Sequence, residues 1–254
     1  MAVLHIPHAS TAIPASELEQ FTVTADGLHA ELLVMTDWFT DELFFLPDDL
    51  GQAVRFPVSR LVVDPERFVD NDAEPMAQRG MGVIYERTST GQMLRASPDA
   101  ITRQRMIDTY YSPHHKLLED AVVHDLERDD FALVIDCHSF SSRPLPHEFD
   151  QSSVRPDICI GADDFHTPPE LIAAAETYCR DRGWSMAVNR PFAGALVPMR
   201  FYQADARVQA VMIEVNRSLY MDEKSGVRLS SFAATATSVQ ALLRTVAAQA
   251  MKKA

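Results

Sequence analysis

The chain is short of cysteine, of positive charge and of long apolar runs. Its 254 residues hold three cysteines, Cys137, Cys159 and Cys179, an odd number with no framework spacing and no CxxC. That excludes a disulfide-stapled scaffold and predicts reduced thiols in a cytoplasm. Lys and Arg number 23 against 36 Asp and Glu, a formal net charge of −13. The acid is spread along the chain, which favours solubility and argues against non-specific nucleic-acid binding. No run approaches the roughly 20 apolar residues of a membrane span. The opening MAVLHIPHAS lacks the basic and apolar regions of a signal peptide. With no internal repeat, low-complexity segment or linker, residues 1–254 read as a single domain.

What is present begins with FALVIDCHSFSSRP, Phe131 to Pro144. Phe131 to Ile135 is a near-continuous apolar run, as a strand buried on both faces requires. It leads into Asp136-Cys137-His138-Ser139, where alternation puts Asp136 and His138 on one face. Ligands sit at the carboxyl ends of strands in open α/β sheets, so this pair reads as site chemistry. The plainer alternative is a packed His138 and a helix-capping Ser139. Val3 to Ile6 is a short strand stopped by Pro7, which leaves His8 just past its end and His5 inside it as a packed or supporting histidine. Val208 to Val215 is another buried strand, and Glu214 near its end is costly to bury without a partner. Asp157–Ile160, Ser185–Val188 and Gly82–Arg87 are further expected strands, and Ala53–Phe56 and Leu61–Asp64 read as two more or as one bent hairpin.

Helical spacing marks Leu28 to Phe45. Asp37 lies inside it, either capping a second helix at Trp38 or aimed into a pocket. Ser97-Pro98-Asp99 opens a helix to Tyr111, with Ser97 as N-cap. Pro113–Arg128, Pro168–Arg182 and Ser230–Met251 follow. His114 and His115 point about 100° apart on a helix, so at most one faces a site, and a solvent-facing or packing role is expected. Asp70–Arg79 and Ser141–Pro156 read as loops.

Ligating and charged groups therefore gather at strand ends. There is no HExxH. Two imidazoles and a carboxylate, His8, His138 and Asp37, suit one zinc ion. Glu214 would stand outside the metal shell, take a proton from a water that zinc acidifies, and pass it to the leaving nitrogen. Asp136 could orient His138. Arg60 and Arg67 could clamp a carboxylate, unless Arg60–Asp64 and Arg67–Glu66 are surface pairs worth little. Gly194 suits a backbone that passes close to something.

HIPHAS, TDWFTDELF, SRLVVDPERF, LVIDCHSF, RPDICIG, NRPFAG and IEVNRSLYMD run in that order from His5 to Asp222 and resemble the N-formylglutamate amidohydrolase family. The resemblance implies an α/β, three-layer fold of the phosphorylase/hydrolase-like kind. Like the zinc carboxypeptidases, it would have a mixed, mostly parallel sheet between helices and one zinc ion per chain. It makes His138 of DCHSF a zinc ligand and Glu214 of IEVNR the catalytic glutamate. The carboxypeptidase HxxE is missing, since Thr11 stands three residues after His8. The acidic ligand must come from elsewhere, Asp37 or, in second place, Asp136. The family's Asp-Leu-Asn-Arg stands here as Asp64-Pro65-Glu66-Arg67, which keeps the arginine but not what precedes it. The implied reaction is hydrolysis of a small anionic N-acyl amino acid, most simply N-formyl-L-glutamate to formate and L-glutamate, as in histidine breakdown. Glu214 and Arg67 would be catalytic, and Arg60, Arg67, Asn216, Arg217 and Gly194 would surround the substrate. The alternatives are a carboxypeptidase-like hydrolase of another N-acyl amino acid or small peptide, and a non-catalytic binding protein on the same scaffold.

Overall fold

Unbroken burial builds the centre of the sheet. In the computed structural model, which describes residues 1–47 and 50–252, β1 (Ala2–Ile6), β2 (Gly51–Arg55), β3 (Ala132–Phe140), β4 (Ile158–Gly161), β5 (Met186–Val188) and β6 (Val208–Asn216) pair in the order β2-β1-β3-β6-β4-β5. Strands β2, β1, β3 and β6 run parallel. β4 is antiparallel to β6 and parallel to β5. The sheet is thus mixed and mostly parallel, as expected.

The helices in chain order are α1 (Ala15–Leu18), α2 (Ala25–Met35), α3 (Thr40–Leu43), α4 (Ala100–Met106), α5 (Ser112–Asp129), α6 (Pro169–Arg182) and α7 (Phe232–Ala250). Leu133, Ile135 and Cys137 of β3 pack with Val211, Ile213 and Val215 of β6 in the same core as Leu171 of α6 and Leu242 of α7. Ala132 and Val134 point the other way, with Val208 and Ala210, into the core shared with Leu118 and Val122 of α5. Central strands covered on both faces have no reason to alternate in polarity. Among the described residues no helix is long and apolar enough to cross a membrane.

Strand length positions the site. Pro7 has no N–H with which to extend β1, and the β1–β3 ladder stops at His5↔Asp136. β3 and β6 stay paired out to Phe140↔Asn216. β3 is therefore longer than its apolar run, and Asp136 and His138 lie within it rather than beyond its end. Past β1, the flank of β3 is open to other segments.

Several helix and strand boundaries differ from expectation. The helix expected over Leu28–Phe45 breaks into α2 and α3, with Phe39 between them at a left-handed φ of 65°. That conformation is costly for a bulky residue; edge-on packing of Phe39 against Tyr220 and Phe232 holds it. Asp99, not Ser97, caps α4, accepting the Thr102 N–H at 2.7 Å. α4 runs on into α5 through a π turn, Ile107–Tyr111, in which the Ser112 N–H reaches the Ile107 carbonyl. Pro113 follows at once and offers no N–H of its own; the two helices expected here are one interrupted helix. Leu61–Asp64 and Gly82–Arg87 are turns and isolated bridges, such as Met81↔Tyr85, rather than strands. Pro75–Arg79, within an expected loop, is a 3-10 turn.

Ile213 is fully buried beneath α6 and α7, whereas Ile101 on α4 is 82% exposed. Ile213→Ala should lower stability by about 2–5 kcal/mol, read as a lower urea midpoint with unchanged slope. Ile101→Ala should stay within about 0.5 kcal/mol of wild type.

Candidate active site

A cavity of about 440 Å³ opens where β1, β3 and β6 end, lined by His8, His138 and Glu214 from these strands' ends, by Asp37, and by Arg60 and Arg67. His8, Asp37 and His138 each offer a ligand atom, and these lie within 4.8 Å of one another. Residues far apart in the chain are thus brought to one point, in the grouping expected for a metal.

Each imidazole is oriented from behind. His138 Nδ1 lies 3.2 Å from Asp37 Oδ2, while its Nε2 lies 3.0 Å from Asp136 Oδ1. His8 Nε2 lies 2.9 Å from Asp64 Oδ1. Its Nδ1 is buried, 3.6 Å from Asp37 Oδ2, with no hydrogen-bond partner. A histidine with one nitrogen on a carboxylate and the other turned to a shared point is the usual arrangement of a metal ligand. Burial opposes charge on His138, but the carboxylates of Glu66 and Asp136, with Asp37, raise its pKa well above the ordinary value. A nest that draws a proton onto an imidazole this strongly suits a cation in the proton's place. The donor set fits a divalent ion of the zinc type.

Asp37 does not cap α3; Phe39 stands at that position without a side-chain cap. The Asp37 N–H bonds the His8 carbonyl at 3.0 Å, tying the helix break to the segment after β1. Burial works against its charge, but His138, His8 and Arg217 hold the carboxyl well below the usual range. Arg217 Nη2 donates to Asp37 Oδ1 at 2.9 Å. Its remaining bonds go to Val34 O and to Ser139. Arg217 therefore positions Asp37, and each of its three guanidinium nitrogens is bonded within the protein.

Glu214 faces His138 across the β3–β6 ladder and Cys159 across β4. Burial pushes its carboxyl up to about 8, and its Oε2 has no hydrogen-bond partner. Arg60 does pair with Asp64, at 2.8 Å, but the pair is buried rather than on the surface. The Arg67 guanidinium borders the cavity without a hydrogen bond among the described residues, its Nε 3.7 Å from Asp64 Oδ2. The Asn216 side chain is turned to Pro156 O and to the Ser218 N–H, away from the cavity lining. Gly194 borders the cavity, and its carbonyl approaches Gly161 so closely that a Cβ there would strike it.

Sequence reasoning gave Asp64 and Glu66 no place in the site and left the roles of His114 and His115 open. Asp64 is fully buried and holds His8, Arg60 and the Tyr85 hydroxyl together. Glu66 Oε1 reaches His138 Nε2 at 3.1 Å. His114 takes the packing alternative: it is buried and lies 2.8 Å from His5 Nε2, whose Nδ1 meets Asp136. His115 turns instead to the cavity and to Pro65 O. The departure from the family pattern at Glu66 was the one signal that could have pointed to any of them.

A model of the N-formylglutamate amidohydrolase family matches residues 1–221. The chain belongs to this family. The N-formylglutamate deformylase of Pseudomonas aeruginosa is 27% identical over 234 residues, 88% of this chain and 83% of that protein. That of Pseudomonas putida is 28% identical over 220 residues, 84% of this chain and 81% of that protein. The crystal structure of N-formylglutamate amidohydrolase from Ralstonia eutropha matches with a TM-score of 0.85 at 23% identity, over 100% of this chain and 95% of that one. A gene product of Agrobacterium tumefaciens matches at 0.66 and 18% identity, over 97% of this chain and 90% of that one. The two structures share the fold.

Burial works against the charge on Asp64, but Arg60, then His8 and Arg67, hold its carboxyl well below the usual range. Asp64→Asn leaves Arg60 buried without its partner and should cost about 3 kcal/mol at pH 7. Because the folded-state pKa is depressed, this stabilisation is complete above the unfolded value of about 4 and is lost as the pH falls through the folded one. Urea titrations should therefore show variant and wild type converging below about pH 4.

Proposed function

We propose that the protein is a zinc-dependent amidohydrolase that cleaves an N-acyl amino acid, with N-formyl-L-glutamate the reference substrate named by its curated relatives. The observation that carries this reading is the buried convergence of His8, Asp37 and His138, with the orphaned His8 Nδ1 among them and Glu214 alongside. His8, Asp37 and His138 would hold one zinc ion, which when bound supplies a nucleophile at neutral pH and polarises the scissile carbonyl. Asp64 and Asp136 keep the two imidazoles turned, and Arg217 fixes Asp37.

Glu214 is the acid and base. Its raised proton affinity suits a group that takes a proton from the attacking water and returns it to the amide nitrogen as the C–N bond breaks. The water's oxygen ends in formate, and the amino acid leaves as an amine. Arg67, its guanidinium 3.7 Å from Asp64 and without a hydrogen bond among the described residues, would receive the substrate's carboxylate. Three free, buried cysteines fit work in a reducing cytoplasm.

Glu214→Gln should retain about one zinc per chain by elemental analysis and lose roughly 10³-fold in formate release. Wild-type turnover in that variant would remove Glu214 from the mechanism. His138→Ala should lose the metal itself.

A further inference from the structure

The face of the sheet beneath α5 changes character toward the cavity. Val3 of β1 and Ala132 and Val134 of β3 pack into the core shared with Leu118 and Val122 of α5. By alternation the next side chains on that face are His5, Asp136 and His138, and His114 of α5 meets them. All four are buried, none more than 3% exposed. Replacing such buried groups by apolar ones of similar volume is often neutral or stabilising, so stability alone does not call for them. Catalysis as read above draws on Asp136 and His138 but on neither His5 nor His114.

His5↔Asp136 is the last pair of the β1–β3 ladder, which sets these two side chains side by side. One oxygen, Asp136 Oδ1, lies 2.8 Å from His5 Nδ1 and 3.0 Å from His138 Nε2. A carboxylate only accepts, so both nitrogens carry hydrogen. With its Nδ1–H on Asp136, a neutral His5 has a bare Nε2, to which His114 Nε2–H donates at 2.8 Å. That leaves His114 Nδ1 as the unpaired atom, buried and without hydrogen. At the other end, an Nε2–H on His138 leaves its Nδ1, 3.2 Å from Asp37 Oδ2, to offer a lone pair to a metal. Glu66 Oε1 also reaches His138 Nε2, at 3.1 Å, but from a turn outside the sheet and with its side chain 16% exposed.

Resting on the zinc amidohydrolase reading, we infer that His5 is a positioning residue for the metal: braced by His114, it holds the Asp136 carboxylate on His138 and so keeps the His138 Nδ1 lone pair aimed at the ion. Without the His5 N–H, Asp136 has one donor fewer and its carboxylate is free to rotate off His138. Partners that orient a ligating imidazole are worth about 10–100-fold in metal affinity.

The test is the zinc dissociation constant, read by competition with a chromophoric chelator, on two variants that differ in reach. His5→Asn places an amide N–H where Nδ1 stood, against Asp136. His5→Gln places its amide where Nε2 stood, against His114. Wild type and His5→Asn should bind about one zinc per chain with similar constants, and His5→Gln should bind it about 10–100-fold more weakly. His114→Leu should weaken zinc severalfold, and an unchanged constant overturns the part given to His114. Equal affinity in wild type, His5→Asn and His5→Gln overturns the inference and leaves Glu66 to turn His138. Equal losses in the two His5 variants, in step with lowered urea midpoints, assign His5 to packing and overturn it as well. Two ions per wild-type chain would make His5 a ligand with Glu66 and Asp136, whose donor atoms also lie within 4.8 Å of one another, and would overturn it too. In all three cases the amidohydrolase reading stands. No zinc on the wild type overturns that reading, and the inference with it.

Discussion

The geometry of the site depends on the guanidinium of Arg217. It follows β6 directly, is 5% exposed, and bonds Asp37, the Ser139 hydroxyl and carbonyl, and the Val34 carbonyl. The ends of β6, β3 and α2 are thereby tied to one planar cation. A buried charge is tolerable only when its partners are complete, and here each of its three nitrogens has one. With one oxygen on Arg217, Asp37 turns the other, Oδ2, toward both His138 and His8. The arrangement at the cavity thus begins with a residue whose own side chain is occupied elsewhere.

A second tie, Asp64, does for His8 what Arg217 does for Asp37. Its carboxylate collects Arg60, Tyr85, His8 and the Glu66 N–H. The segment that carries it has almost no regular structure, and long-range contacts stand in for a ladder. The Arg95 guanidinium, stacked 4.2 Å from the Phe21 ring, also donates to the Leu61 carbonyl. Leu61, Val62 and Val63 are a fully buried apolar run, yet no ladder pairs them. That is why Leu61–Asp64 reads as a strand in the sequence and Asp64 as half of a surface pair.

Legibility followed the same division. The central strands were readable because burial on both faces demands unbroken apolar runs, and Glu214 and His138 stood out as polar groups that such runs should not contain. His8 was readable because a proline must end its strand. The extent of β3 beyond Ile135 was not, since Asp136 to Ser139 carry no apolar signal and are kept in the sheet by pairing with β6. Nor was the π turn, because helical spacing continues on both sides of Pro113. Glu66 shows the limit most clearly: its place is set by a loop, and only the fold turns it inward.

Charge ties these features to the chemistry. The chain carries a net charge of −13, yet its field over solvent decays within about 8 Å at physiological salt. Capture of an anion must therefore be arranged at contact distance, where Arg67 faces the cavity amid Asp37, Glu66, Asp136 and Glu214. The same crowding sets the proton affinity of Glu214. Burial, then the neighbouring Asp37 and Glu66 charges, hold its proton on, against the opposing pull of His138 and Arg217. A divalent ion among His8, Asp37 and His138 would add positive charge where those carboxylates dominate, and would weaken that hold. Metal binding and release of the Glu214 proton are then two sides of one equilibrium. With the ion bound, the buried Glu214 would give up its proton more readily than without it.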